Sequence, residues 1–353
     1  MRVLHIVPDS VSDARHLFLG STKDVRGRTE YFRARGIAAD EVLAVRRSDR
    51  LLLKKLRTLD LRPYTAAVIE LPLYPRSIRF LRRTAPHVRV LVRAINAELF
   101  HDVHAILAWK AFDGWRPRTL RNGLFYTKFG LQRLLLDVLC SRLSHGILGI
   151  TKWEAEHYWR YLAGSSRVSC VPYFLPESYS VSPASPTEKR NRCVCVMSSS
   201  PYISPFLLDS AKQFGALVSA LGEGCPEWEF YMTGDCSEAR LRLPARIIRT
   251  GFLDSPFEVV RGSRAVAVLS NYGFGFKTKV LDAIQQRCYV LVPSKLYERL
   301  PAEVQPHCIV VDLHSVDSFK EALRRCQQPF PDADPNQVLR AQAYATLDEL
   351  LAA

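Results

Sequence analysis

Short apolar runs alternate with longer amphipathic stretches along most of the chain. Residues 3–7, 41–45, 66–71, 88–92, 145–151 and 168–172 are rich in Val, Ile, Leu and Ala, with helical patterns between them. Near-continuous apolar runs of that length suit strands buried on both faces of a parallel sheet. After a Ser- and Pro-rich stretch, PESYSVSPASPTEKRN, the rhythm restarts at 193–197. A helix is expected over 204–221, then strands at 228–232, near Ile247-Ile248, and at 265–269, 289–292 and 308–312. Helices are expected over 316–327 and about 335–352.

The pattern predicts two doubly wound α/β domains, 1–176 and 192–334. A linker over 177–191 joins them, and a last helix covers 335–353. The length of 353 residues gives each domain enough chain for its own core. No window approaches the 18 apolar residues of a membrane span, so no transmembrane helix is expected. The start, MRVLHIVPD, turns polar too soon for a signal peptide and reads as a first strand. Nine cysteines, an odd number with no paired metal-site spacing, fit a reduced, cytoplasmic protein.

Charge changes the picture. Residues 1–176 hold 30 Lys and Arg against 15 Asp and Glu, while the rest hold 19 against 20. The whole excess behind the net +14 therefore lies in the first half. An anionic partner is expected there: a phospholipid surface, a phosphorylated acceptor or nucleic acid. Basic residues cluster with leucines over 46–57 and again over 76–89, as an interfacial helix or the outer face of a packing helix would have them. Residues 115–143 interleave Trp115, Phe125, Tyr126 and Phe129 with Arg116, Arg118, Arg121, Lys128 and Arg133. That mixture suits single-stranded nucleic acid, a membrane interface or a helix covering a cleft, and the residues do not choose.

The most legible chemistry lies in AVAVLSNYGFGFKTKVLDAIQQRCYVLVP, residues 265–293. A buried strand ends at Ser270-Asn271, a loop follows with Gly273 and Gly275, and a helix carries Lys277, Lys279 and Asp282. Glycines let backbone N–H groups approach a ligand, a helix N-terminus favours anions, and two lysines add full charge. Asp282 can accept hydrogen bonds from a ribose diol. The combination reads as a site for a diphosphate and a ribose.

The segment resembles the donor-site signature of family-4 retaining glycosyltransferases of the GT-B fold. That signature runs Gly-x-Gly-x-Lys-x-Lys, two hydrophobic residues, Glu and Ala. Here it stands as Gly273, Gly275, Lys277, Lys279, Val280, Leu281, Asp282 and Ala283. The resemblance implies two Rossmann-like domains facing a cleft, with the C-terminal helix crossing back. It also implies a nucleotide-diphosphate sugar as donor substrate, with no cofactor and no metal. The donor side would comprise Gly20, Ser198, Gly234, Gly273, Phe274, Gly275, Phe276, Lys277, Thr278, Lys279 and Asp282. Two departures stand out: Asp282 replaces the Glu, and Phe274 occupies the place eight residues upstream where many members have another Glu.

A second resemblance lies at 93–98. Arg93, Asn96 and Glu98 follow a strand, at the carboxyl end where α/β proteins bind ligands. Their order is similar to an Arg-x-His-Asn-x-Glu motif of some family-4 transferases, with Ile95 in place of His. It implies an acceptor side of Arg93, Asn96 and Glu98, and Lys279 with Glu98 as the catalytic candidates. His101, Asp102 and His104 have metal-like spacing but no third distant ligand, so no metal site is expected.

The expected function is transfer of a sugar from a nucleotide-diphosphate sugar to a glycan or lipid-linked acceptor, with retention, in bacterial surface polysaccharide or lipopolysaccharide-type biosynthesis. The basic half would sit peripherally on the inner membrane face. The alternatives are another enzyme on the same fold, such as a nucleotide-sugar epimerase, a transferase relic that binds without turnover, or a basic nucleic-acid-binding protein. Nucleic acid is the disfavoured partner, because it leaves the Gly-x-Gly-x-Lys-x-Lys unit unexplained.

Overall fold

The computed structural model describes residues 1–13, 16, 19–45, 48–113, 117–180, 188–197, 204–234, 241, 243–251, 253 and 255–352. Two six-stranded sheets organise the chain. The first contains β1 (Arg2–Pro8), β2 (Ala38–Ala44), β3 (Ala66–Glu70), β4 (Arg89–Ala94), β5 (Gly146–Gly149) and β6 (Val168–Cys170), ordered β2-β1-β3-β4-β5-β6. The second contains β7 (Arg190–Cys195), β8 (Glu229–Thr233), β9 (Ile247–Gly251), β10 (Ser263–Ala267), β11 (Tyr289–Val292) and β12 (Cys308–Val310), ordered β12-β11-β10-β7-β8-β9. Every pairing between these strands is parallel. The expected α/β architecture of two doubly wound domains is therefore what the chain forms.

Alternation on the central strands explains the layers. In β1, Val3 packs into one apolar cluster while Leu4 and Ile6 pack into another on the opposite face. In β10, Val266 faces one layer and Ala265 and Ala267 the other. The cluster containing Val3 also holds Val266, Val280 and Val290 of the second sheet and Leu339, Ala343 and Leu347 of the last helix. Apolar packing thus runs without interruption from one sheet to the other.

Strand order reverses between β1 and β3 in the first sheet and between β10 and β7 in the second. Crevices at the carboxyl ends of such switch points are where open α/β sheets bind ligands. The chain places the helix Gly20–Ala34 after β1 and the loop 268–278 after β10. Gly20, expected on the donor side, is the first residue of that helix.

The last helix, Pro335–Ala352, crosses back to the first domain. Tyr344 packs edge-on against Tyr31 and Phe174, and Asp348 accepts from Arg35 and from the Tyr31 hydroxyl. Asn336 is the deeper tie. Its Oδ1 accepts from the Leu175 N–H at 2.6 Å, and its Nδ2 donates to the Leu175 carbonyl at 3.0 Å.

Asn336→Ala strands the buried Leu175 N–H, at about 1–3 kcal/mol, while the Leu175 carbonyl keeps its bond from Arg340. Arg35→Ala breaks only an exposed pair, at about 1 kcal/mol or less. Urea unfolding should therefore show Asn336→Ala as the more damaging change. Equal losses would mean that Asn336 does not fasten the helix.

Candidate functional site

The loop after β10 carries the glycines into the first domain. Gly273 and Gly275 have φ of +89° and +81°, a region that L side chains avoid. A Cβ at Gly275 would stand 2.1 Å from Asn96 Oδ1 and 2.7 Å from the Ile95 carbonyl. No side chain fits there, so glycine is required twice over, by conformation and by space.

The loop N–H groups were expected to face an anion. They face the first domain instead. Gly275 donates to Glu154 Oε1 at 2.7 Å, and Gly273 donates to His104 Nδ1 at 3.1 Å. Phe274 reaches His101 Nδ1 at 3.5 Å. Since each Nδ1 accepts, both imidazoles must be neutral, with the proton on Nε2. Burial holds His101 down at about 3 and His104 at about 4, with the positive charge of Lys277 nearby adding to both. The two histidines considered as metal ligands are therefore loop anchors.

Phe274 fills an aromatic pocket. It lies 5.6 Å from Phe100, 4.9 Å from Trp153 and 4.5 Å from His104, with the Arg299 guanidinium 4.8 Å above its ring. Phe276 stacks on Tyr173 at 5.2 Å. Both phenylalanines fasten one domain to the other. Glu154 is buried, bonded to Thr151 and the Gly275 N–H, and burial raises its carboxyl.

Behind the loop lies a concentration of positive charge. The helix was expected to carry Lys277, but it begins at Lys279, so Lys277 and Thr278 stand in the loop before it. Lys277 lies 5.2 Å over the Phe206 ring, and Lys279 donates to the Val196 carbonyl at 2.6 Å. Arg299 donates to the Gly273 carbonyl at 2.7 Å. Among the described residues, no carboxylate stands within ion-pair distance of any of the three. Burial lowers both lysines to about 8 and pulls Arg299 below its usual value, with Arg299 adding to the effect on Lys277. Such crowding is costly without an anion.

Asp282 occupies the first turn of the helix Lys279–Gln285. Both its oxygens accept from Lys23 at 2.7 Å, so a first-domain lysine bridges to the expected ribose carboxylate. Burial raises Asp282, while Lys23 opposes that rise. Beside them is a small crevice of about 20 Å³, lined by Val196, Pro256, Phe257, Val260 and Val266 together with Lys279 and Asp282. A crevice of this size holds about one water, so it marks an apolar surface beside Asp282 and not a formed pocket.

The remaining predicted residues divide clearly. Gly20 abuts Thr278, with 2.7 Å between a notional Cβ and the Thr278 side chain, so the two helix starts meet across the cleft. Gly234, φ +80°, donates to the Gly251 carbonyl and packs on Met197 at the end of β7. Ser198, Trp115 and Arg116 lie outside the described residues. Asn96 presses on Gly275 and donates to Glu98 at 3.2 Å, and Glu98 also takes a bond from Arg133.

Arg93 is not at the cleft. It is fully buried, bonded to both Asp24 oxygens and to the carbonyls of Leu148, Gly149 and Val171. Asp24 continues through Arg28 to Glu70 and His5, an ionic chain inside the first domain. Arg93 fits a structural role better than an acceptor contact.

Sequence reasoning passed over Glu154 and Arg299 as site residues. Glu154 follows β5 at its carboxyl end, a topological signal that was there to use. Arg299 had none, because a basic residue just past the short helix Ser294–Tyr297 reads as surface.

No family model matches the chain, and no curated protein matches it. Solved structures do. HepE of Anabaena in complex with UDP superposes with a TM-score of 0.59 at 13% identity, covering 100% of this chain and 98% of that one. A sucrose-phosphate synthase from Thermosynechococcus elongatus gives 0.60 at 12%, covering 100% and 96%. The lipopolysaccharide outer core galactosyltransferase WaaB, apo form, gives 0.54 at 12%, covering 100% and 99%. These likenesses establish the GT-B fold for this chain from end to end.

Because Lys277 is half-buried with no carboxylate within ion-pair distance among the described residues, Lys277→Met should stabilise the ligand-free protein near pH 7. The folded lysine loses its proton at about 8, against 10.5 unfolded. The wild type therefore recovers stability as pH rises through that window, and the gain should shrink by pH 9.5. Urea unfolding at both pH values checks this. A loss of stability that is the same at both would make Lys277 a structural contact.

Proposed function

We propose that the protein transfers a glycosyl group from a nucleotide-diphosphate sugar to a glycan or lipid-linked acceptor. The observation that carries the reading is the cluster of half-buried cations Lys277, Lys279 and Arg299 beside Asp282, none of them within ion-pair distance of a carboxylate among the described residues. In this reading the base would lie along Phe257 and Val260, the ribose at Asp282 and the diphosphate at the lysines. The three neighbours described above share the fold; one of them is bound to UDP and another is a galactosyltransferase. Both facts favour a sugar nucleotide over other diphosphates.

As the glycosidic bond breaks, the departing diphosphate gains negative charge. Lys277 and Lys279 would offset that charge as it develops. With the loop N–H groups committed to Glu154, His101 and His104, the side-chain cations do this work. Lys23 leaves Asp282 lone pairs open for ribose hydroxyls. It bridges the carboxylate from the first domain, so the ribose site is complete only when the domains are closed. Asn96 and Glu98, against Gly275, are placed to meet the sugar or the acceptor hydroxyl. Retention of configuration and a role in bacterial surface polysaccharide assembly, on the inner membrane face, belong to the same proposal. They rest on the donor signature and on the basic first half.

A thermal-shift screen against nucleoside diphosphates and nucleotide sugars tests the reading, since a ligand bound only to the native state raises Tm. One base series should raise it. Asp282→Asn and Lys279→Met should each weaken that ligand at least about tenfold, or about 1.4 kcal/mol. No response to any diphosphate, or unchanged affinity in the folded double variant, sinks the site.

Affinity should also fall between pH 7 and pH 9, as lysines with values of about 8 lose their charge. Near pH 8 the bound anion draws protons onto them, so calorimetry in two buffers should record proton uptake. Binding independent of pH across that range would mean that the lysines do not touch the diphosphate.

A further inference from the structure

We propose that the outer face of the helix Pro117–Leu143 docks the protein on an anionic lipid bilayer. Four leucines, Leu120, Leu124, Leu131 and Leu135, are 51%, 75%, 62% and 59% exposed. Their spacing places them within an arc of about 60°. Such a row is the reverse of what a packing helix shows, because its inward face already holds Asp137 and Cys140. Arg121 and Lys128 are exposed along one border of the row, and the exposed Phe125 packs at a tilt against Phe129 beyond them. The adjoining helix Glu98–Asp113 adds exposed Val103 and Leu107.

Charge selects the partner. The helix contains one carboxylate, Asp137, which is buried and bonded to the Tyr158 hydroxyl. The helix Pro75–Thr84 packs alongside and exposes Arg76, Arg79, Arg82 and Arg83, with Arg82 donating to the Leu143 carbonyl. Leucines bordered by cations, with no exposed acid, match acyl chains below anionic headgroups. A second copy would set like charges against each other. A nucleic acid would meet leucines that offer neither hydrogen bonds nor stacking. No helix among the described residues is long and apolar enough to cross a membrane, so the contact lies in the plane of the surface.

The geometry connects this face to the cleft. The helix Glu98–Asp113 presents Val103 and Leu107 outward, while its His101 and His104 hold the glycine loop. Docking would bring the cleft to the bilayer, where a lipid-linked acceptor arrives. That delivery rests on the proposed transfer reaction, but the docking itself does not.

Co-sedimentation of the full chain with vesicles tests it, using phosphatidylcholine alone and phosphatidylcholine mixed with phosphatidylglycerol. The wild type should pellet with the mixed vesicles and much less with the neutral ones. Leu124→Glu with Leu131→Glu should cut partitioning about tenfold or more, because burying the leucines supplies the apolar part of the binding. Arg121→Glu with Lys128→Glu should cut it severalfold. Both pairs should keep the wild-type Tm and diphosphate binding, so a failure of docking leaves the transfer reading intact. Wild type that ignores both vesicles, or a leucine pair that pellets as wild type does, overturns the proposal. So does a dimer in light scattering, or an oligonucleotide complex, that the leucine pair abolishes while vesicle binding is absent.

Discussion

The close approach of two backbones governs the site. At Gly275 the loop after β10 comes so near residues 95 and 96 that no Cβ fits, and the positive φ at Gly273 and Gly275 lets the chain turn into that space. Once there, three consecutive N–H groups find acceptors on Glu154, His101 and His104. Phe274 and Phe276 enter aromatic surroundings contributed largely by the first domain, and Lys277 emerges behind them over Phe206. Replacing either glycine would disturb the domain contact, both aromatic anchors and the lysine positions together.

Two ionic arrangements coexist in the molecule, and their contrast explains which one is available for chemistry. Arg93, Asp24, Arg28 and Glu70 are all buried, and each charge finds an opposite partner. A network satisfied in this way fixes the helix Gly20–Ala34 over the first sheet. Lys277, Lys279 and Arg299 are charges without carboxylates, held by carbonyls and ring faces. Partial burial lowers the proton affinity of all three. Groups perturbed in this way are what single out a candidate site.

Most of the architecture was legible from the sequence. Parallel strands buried on both faces must be apolar throughout, so 289–292 was found to the residue and most others to within two or three. The glycine spacing, Lys279 and Asp282 were legible for the same local reason, since loop conformation and helix phase follow from neighbours in the chain. What misled was exposure. Arg93 sits at the end of a strand exactly as a ligand contact would, yet Asp24, 69 residues away in sequence, had already claimed it.

The sequence by itself determined two α/β domains, their order of strands and helices, and a lysine-rich turn with an acid in the helix after it. Hydrophobic period and turn chemistry are local, and local signals survive in a single chain. Tertiary structure decided which partners those groups meet: Lys23 for Asp282, Glu154 and the histidines for the glycine loop, and solvent for the leucines of 120–135. These contacts join residues up to 259 positions apart, and no periodicity records which face of one domain closes on the other.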